Sequence, residues 1–355
     1  MDKSWHGPFM ITILMLVISC SPNSQVDDYL AQFKIEERTT EQMAFDSLVS
    51  TAMDLYVIDS MLMINEFRRS GHLISFWNKY TGQLICRKFP VGKGPGEFLP
   101  PLFLEYQNDT LGVYNRTDYR YRTFILDSIL NPIKLSESLP FPSYPSWIKR
   151  ISDSVYLGAQ RVSYLIEDQQ EQPERFSLLS DSAEVLRSIR ISYPSVESNI
   201  QLNERLESLV FQGSRYLKPD KSKFAIASVD LGSFEIFDLK EDTVIKTHEN
   251  QVDGKALVSK YSDNTTRYLK FSDEQVRGYA GMYTTNDYIY LLYAGESVSM
   301  SNRKGYRYIL VLDWEGSPVA GYALDTPVAC FTIDEQNDML YGISYDYDHL
   351  ITAQL

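Results

Sequence analysis

Apolar residues along this chain recur mostly at every second position, in short runs that end in Asp, Asn, Gly, Ser or Pro. Tyr, Phe, Val, Ile and Thr fill these runs, and Tyr alone occurs 25 times. Alternation with period two in short segments closed by turn formers predicts strands rather than helices. Only two stretches, near 24–32 and 196–210, read as helical, and both are short. The pattern therefore predicts an all-β chain.

Six of the runs begin in the same way, with an aspartate-led turn followed by an apolar strand. The markers are Asp59, Asp109, Asp153, Asp220, Asp287 and Asp338, spaced 50, 44, 67, 67 and 51 residues apart. Asp followed by a small polar residue hydrogen-bonds its own backbone and starts a tight turn. Each marker turn with its own strand has one predicted strand before it and two after. In the first unit these are 53–58, 61–67, 72–77 and 84–90; in the second, 101–107, 111–115, 120–126 and 132–139. Four antiparallel strands repeated every 40–60 residues or so describe a propeller blade. The sixth unit has only 328–334, 338–344 and 349–355 before the sequence stops. A blade lacking its outer strand would expose a sheet edge. The alternating segment 33–40 is expected to supply that strand and close the ring, giving one six-bladed β-propeller of four-stranded antiparallel blades over residues 33–355.

The N-terminus has a different pattern. Residues 9–18 form an apolar run too short to span a bilayer, followed by Ser19 and Cys20. Val17-Ile18-Ser19-Cys20 resembles a bacterial lipobox, which implies removal of residues 1–19 as a signal peptide and acylation of Cys20. Asp2, Lys3 and His6 give this leader almost no net positive charge, and a signal peptide cut elsewhere is the alternative. Residues 20–32 then read as the lipidated cysteine and a polar tether. The expected address is the bacterial cell envelope, by lipid anchor and at the outer membrane, facing either the periplasm or the surface.

The net charge of −13 argues against a nucleic-acid partner and against attraction to anionic headgroups, so attachment to the membrane falls to Cys20. The other two cysteines, Cys86 and Cys330, lie in alternating apolar stretches and read as small buried hydrophobes, with a disulfide between them as the alternative.

Catalytic motifs are sparse. His72, His248 and His349 are the only histidines after the leader, and there is no Gly-x-Ser-x-Gly elbow, phosphate loop or dinucleotide fingerprint. No catalytic residue, metal ligand or cofactor is assigned. Asp and Glu are plentiful enough to keep a metal-dependent propeller hydrolase or lyase, with Ca²⁺ held by channel carboxylates, as the alternative function. In a propeller, the loops between second and third strands share one face with the blade-to-blade connections. Those loops carry Arg68, Arg69, Lys93, Arg116, Arg120 and Arg303, interleaved with Tyr119 and Tyr345. Arg and Tyr are the residues of interface hot spots. With Glu97, which is also placed to cap backbone amides in the glycine-rich 92–98 loop, they form the candidate ligand-binding face.

Three segments carry a family resemblance. They are Gly92-Lys-Gly-Pro-Gly-Glu-Phe98 after the fourth strand of the first unit, the closing stretch 328–344, and Leu217-Lys-Pro-Asp-Lys-Ser-Lys-Phe-Ala225. Together they resemble the TolB-like six-bladed propeller lipoproteins of Bacteroidales. The resemblance implies the fold and an envelope location, and no established reaction. The expected function is a non-enzymatic binding or interaction module for a protein, peptide or glycan.

Overall fold

The computed structural model describes residues 24–355 apart from 48, 69, 108, 127–133, 142–144, 160–173, 203, 253–254 and 263–266. The chain folds as a six-bladed propeller of four-stranded antiparallel blades. Blade 1 comprises Thr51–Ile58, Met61–Phe67, His72–Asn78 and Leu84–Pro90, each strand within two residues of the alternation. Blade 2 comprises Leu102–Gln107, Thr110–Asn115, Arg120–Ile125 and Lys134–Pro140. Blade 3 comprises Trp147–Arg150, Val155–Ala159, Phe176–Ser180 and Val185–Ile189; blade 4 comprises Gly213–Leu217, Lys223–Ser228, Ser233–Lys240 and Thr243–Gln251. Blade 5 starts with Val276–Thr284, Tyr288–Ser297 and Tyr306–Asp313. The 17-residue strand Pro318–Asp334 serves first as its fourth strand and then as the first strand of blade 6, which continues with Met339–Ser344 and His349–Gln354.

Second strands show the burial expected of a blade centre. Met63, Ile64, Leu111, Val113 and Leu291 are fully buried, because sheets pack on both of their faces. The marker turns follow the predicted chemistry. Asp59, Asp109 and Asp338 adopt left-handed φ values of 51°, 58° and 51°, which Asp tolerates better than most residues. In blade 4 the left-handed residue is Lys221, and Asp220 Oδ1 accepts the Ser222 N–H at 2.8 Å. The two 67-residue spacings have a structural cause: extra elements lie on either side of blade 4. They are a helix, Glu204–Val210, a short parallel pair of Glu197–Ser198 with Lys255–Ala256, and a hairpin of Val258–Ser262 with Arg267–Phe271.

Ring closure uses the N-terminus, but one strand later than the alternation suggested. Glu41–Ala44 is the outer strand of blade 6, antiparallel to His349–Gln354, with Glu41 opposite Thr352. Segment 33–40 goes elsewhere: Ile35–Arg38 runs parallel to the fourth strand of blade 5, with Ile35 opposite Gly321. Phe33 is buried and Ile35 packs where a Cβ on Gly321 would lie 2.4 Å from its Cδ1. The apolar alternation of 33–40 thus fills a gap at blade 5, whereas an outer strand needs little apolar character. The helix expected near 24–32 spans Ser24–Leu30. It is docked, with Val26 and Tyr29 buried and the Tyr29 and Tyr279 hydroxyls 2.6 Å apart, so the polar stretch 21–31 is not all tether. A third helix, Val298–Lys304, was not anticipated; it replaces the second-to-third-strand turn of blade 5 and is capped by Ser297, whose hydroxyl accepts the Met300 N–H.

A buried ion pair joins the two ends of the ring. Lys79, just past the third strand of blade 1, reaches Asp334 at the end of blade 6's first strand at 2.6 Å, with both side chains at most 5% exposed. Cys86 and Cys330 are not joined by a disulfide.

Candidate functional site

The first strand of each blade lines the central channel. Antiparallel order puts the first-to-second-strand turns of all six blades on one face, and there the channel opens into a cavity of about 220 Å³. Every blade contributes to its wall: Tyr56 from blade 1, Tyr106 and Gln107 from blade 2, Lys149 from blade 3, Tyr216 from blade 4, Tyr283 from blade 5, and Glu335 directly after the first strand of blade 6. Four tyrosines, two carboxylates (Glu105 and Glu335) and the lysines Lys149, Lys218 and Lys221 make a mouth that is aromatic, polar and nearly balanced in charge.

These groups are held by a continuous network. The Lys149 ammonium donates to the Leu104 carbonyl at 2.9 Å and stands 5.5 Å from the centre of the Tyr216 ring. Tyr56 donates to the same carbonyl at 3.2 Å. Below them Asp54 accepts from Asn65 Nδ2 at 3.0 Å and from the Tyr216 hydroxyl at 3.2 Å. Burial raises the Asp54 carboxyl above its ordinary value against those two bonds and the Lys149 charge. Glu105 Oε2 accepts from the Tyr121 hydroxyl and from the Arg150 N–H, each at 3.2 Å. Gln107 donates to the Pro219 carbonyl at 2.5 Å and Thr284 to the Leu217 carbonyl at 2.7 Å, tying blade 2 to blade 4 and blade 5 to blade 4 at the rim. Such bonds between blades fix the rim and the side chains on it.

Asp54→Asn should remove a pH-dependent cost. A carboxyl whose folded pKa is raised binds its proton more readily when folded, so its contribution falls as pH rises above the ordinary carboxylate range. The melting temperature of the variant minus that of the parent should therefore grow between pH 4 and pH 7. A difference that stays constant with pH would mean that Asp54 is not the titrating group.

The residues expected to form the binding face lie on the opposite side, and several have local partners. Arg68 is ion-paired with Glu66, which is fully buried and also accepts from Ser75 at 2.5 Å. Arg120 donates to the Ser138 hydroxyl at 3.0 Å. Tyr119 takes a left-handed φ of 53° and its carbonyl accepts the Phe141 N–H. Tyr345 packs edge-on to Tyr306 and against Gly305, where a Cβ would lie 2.7 Å from the ring. Arg116 is half-buried and Lys93 is exposed. Arg69 and the side chain of Arg303 lie outside the described residues. Glu97 caps its own loop, accepting the Gly94 N–H at 2.7 Å, and a Cβ on Gly92 would lie 1.9 Å from its carboxylate. The glycines of this loop are thus required by the turn itself.

For the alternative chemistry, among the described residues no three His, Cys, Asp or Glu side chains come together as a cation site. The channel carboxylates Asp54 and Glu105 are instead each engaged by protein donors. The residues lining this cavity were not singled out from the sequence. The available signal was a charged or tyrosine residue in the first strand of each unit (Asp54, Glu105, Lys149, Tyr216), where only the channel offers it water.

A family model described as TolB-like 6-blade propeller-like matches residues 32–336. Among solved structures, the chain is similar to an assumed exported protein of Bacteroides fragilis, with 12% identity, a TM-score of 0.54, and coverage of 89% of this chain and 94% of that one. It also resembles the β-propeller domain of Cps50 (Swd1) from Myceliophteria thermophila, at 8% identity and a TM-score of 0.44 over 89% and 100% of the two chains, a likeness too distant to carry an argument. No curated protein matches the sequence.

Proposed function

The chain belongs to the TolB-like six-bladed propeller family, and on that premise we propose that it is a lipid-anchored envelope module that binds a protein, peptide or glycan ligand without transforming it. The ligand enters the channel mouth between Tyr106, Lys149 and Tyr216. One observation carries this reading: all six blades converge on one cavity, in whose wall Glu105 is already engaged by the Tyr121 O–H and the Arg150 N–H. A cavity of this volume holds the equivalent of about seven waters, so it takes one ring or one side chain of a larger ligand. The apolar run before Cys20 and the exported neighbour support the envelope address. No helix among the described residues is long and apolar enough to cross a membrane, which is consistent with attachment through Cys20.

The test is a peptide and glycan array probed with the mature protein, repeated with Tyr106→Ala and Lys221→Ala. Each variant should weaken binding of any hit at least tenfold while still melting cooperatively, with Lys221→Ala shifting stability by no more than about 0.5 kcal/mol. If Lys93→Ala and Arg116→Ala abolish binding and the channel variants do not, the loop face is the site instead. For the anchor, Cys20→Ala should move the protein from the detergent phase to the aqueous phase on phase separation.

A further inference from the structure

We infer that the protein stands on the membrane on the face of its second-to-third-strand loops, with the tyrosine-lined channel mouth opening away from the bilayer. This rests on the acylation of Cys20 proposed above. The geometry comes from the docked helix Ser24–Leu30. Val26 packs over Gly295, where a Cβ would lie 3.2 Å from its Cγ1, and a cavity of about 660 Å³ separates the helix from the loop helix Val298–Lys304. Gly295 and Ser297 end the second strand of blade 5, so the helix starts at the second-to-third-strand face. It is seated in a cluster shared by blades 4 and 5, with Tyr29 bonded to Tyr279 of an innermost strand. The chain therefore leaves from within this face and not from the outer rim.

Distance then decides the orientation. Cys20 precedes Ser24 by four residues, which span at most about 14 Å fully extended. The first strand of blade 5, Val276–Thr284, has nine residues and puts the opposite face about 30 Å away. A tether of that reach cannot bring the channel mouth to the lipid surface unless the helix undocks. Undocking would expose Val26 and Tyr29, which are 7% and 4% exposed when docked. The orientation also gives the loop arginines and tyrosines another setting: they face the bilayer, and the soluble ligand meets the far mouth.

The experiment couples the mature chain, carrying Cys86→Ser, through Cys20 to a maleimide lipid in phosphatidylcholine vesicles that contain a headgroup nitroxide lipid. A fluorescent non-natural residue is placed in turn at Ser299 and Lys93, on the proposed membrane face in blades 5 and 1, and at Asn286, in the first-to-second-strand turn of blade 5. Quenching at 299 and 93 should exceed that at 286 by threefold or more. Equal quenching at all three, stronger quenching at 286, or quenching at 299 without 93 (a propeller lying on its edge) would overturn the orientation. Because the lipid is attached chemically, this result does not depend on acylation in the cell. Unchanged detergent partitioning of Cys20→Ala in the producing cell would separately remove the anchor, and the inference with it.

Discussion

Asp334→Ala should lower the stability of the propeller by about 3–5 kcal/mol, the cost of leaving one member of a buried ion pair without its partner. The Lys79 ammonium has little access to water in this position: its side chain is 3% exposed, with the rings of Tyr80 and Tyr341 5.2 and 5.8 Å away. Asp334 also organises the turn that follows it, accepting from Asn337 Nδ2 at 2.8 Å and from the Gln336 N–H at 3.3 Å. The pair links blade 1 to blade 6, so its loss weakens the junction where the ring closes. In urea the midpoint should fall by about 1 M or more, given slopes near or above 3 kcal/mol/M for a chain of this size. The double variant Lys79→Met with Asp334→Asn removes both charges and keeps an acceptor for the turn. It should recover to within about 1 kcal/mol of the parent, because a buried pair is nearly isoenergetic with well-packed neutral groups. A cost under 1 kcal/mol for Asp334→Ala would mean that water reaches Lys79 and that the junction is held by packing alone.

The strands were legible because each satisfies a local rule. In blade 1 the alternation in 53–58 and 61–67 and the left-handed Asp59 between them predict a hairpin with no knowledge of the partner blade. What could not be read is what depends on distant partners. Segment 33–40 alternates as an edge strand should, but nothing within it says that its partner is Gly321–Leu324 and not 349–355. The missing information is the hole at Gly321, which belongs to another blade. The channel-mouth residues were hidden for a related reason. Lys149, next to Trp147 and Ile148, reads as an ordinary surface lysine until its strand is placed innermost, where the channel is its only route to solvent. Arginines in turns are the opposite case. Arg68 lies two residues from Glu66, but that they pair depends on Glu66 being turned into the blade against Ser75 and Trp77. Side-chain direction, not sequence spacing, separates a free loop charge from a structural one.

Deleting residues 24–44 should have the largest effect of any change to the chain. This one segment touches three blades: the helix sits against blades 4 and 5, Ile35–Arg38 lies along blade 5, and Glu41–Ala44 completes blade 6. Val26, Tyr29 and Phe33 are each under 10% exposed, and burying side chains of this size contributes roughly 1.5–3 kcal/mol apiece. Their loss alone removes about 4.5–9 kcal/mol, against a total stability of about 5–15 kcal/mol for a typical domain. The truncation also leaves His349–Gln354 as an open edge beside a core cluster that includes Ile351 and Ala353, a template for pairing with a second chain. The truncated protein is expected to lose its cooperative melting transition or to aggregate when purified at micromolar concentration. The point variants Tyr29→Ala and Phe33→Ala, which leave the edge strand in place, should melt cooperatively at lower temperature and keep the parent's size by light scattering. That contrast separates the two functions of the segment, anchoring by apolar side chains and covering of the edge by Glu41–Ala44. A truncated chain that melts cooperatively within a few degrees of the parent would show instead that the ring closes through its inner strands and the Lys79–Asp334 pair, with the N-terminal segment an accessory to it.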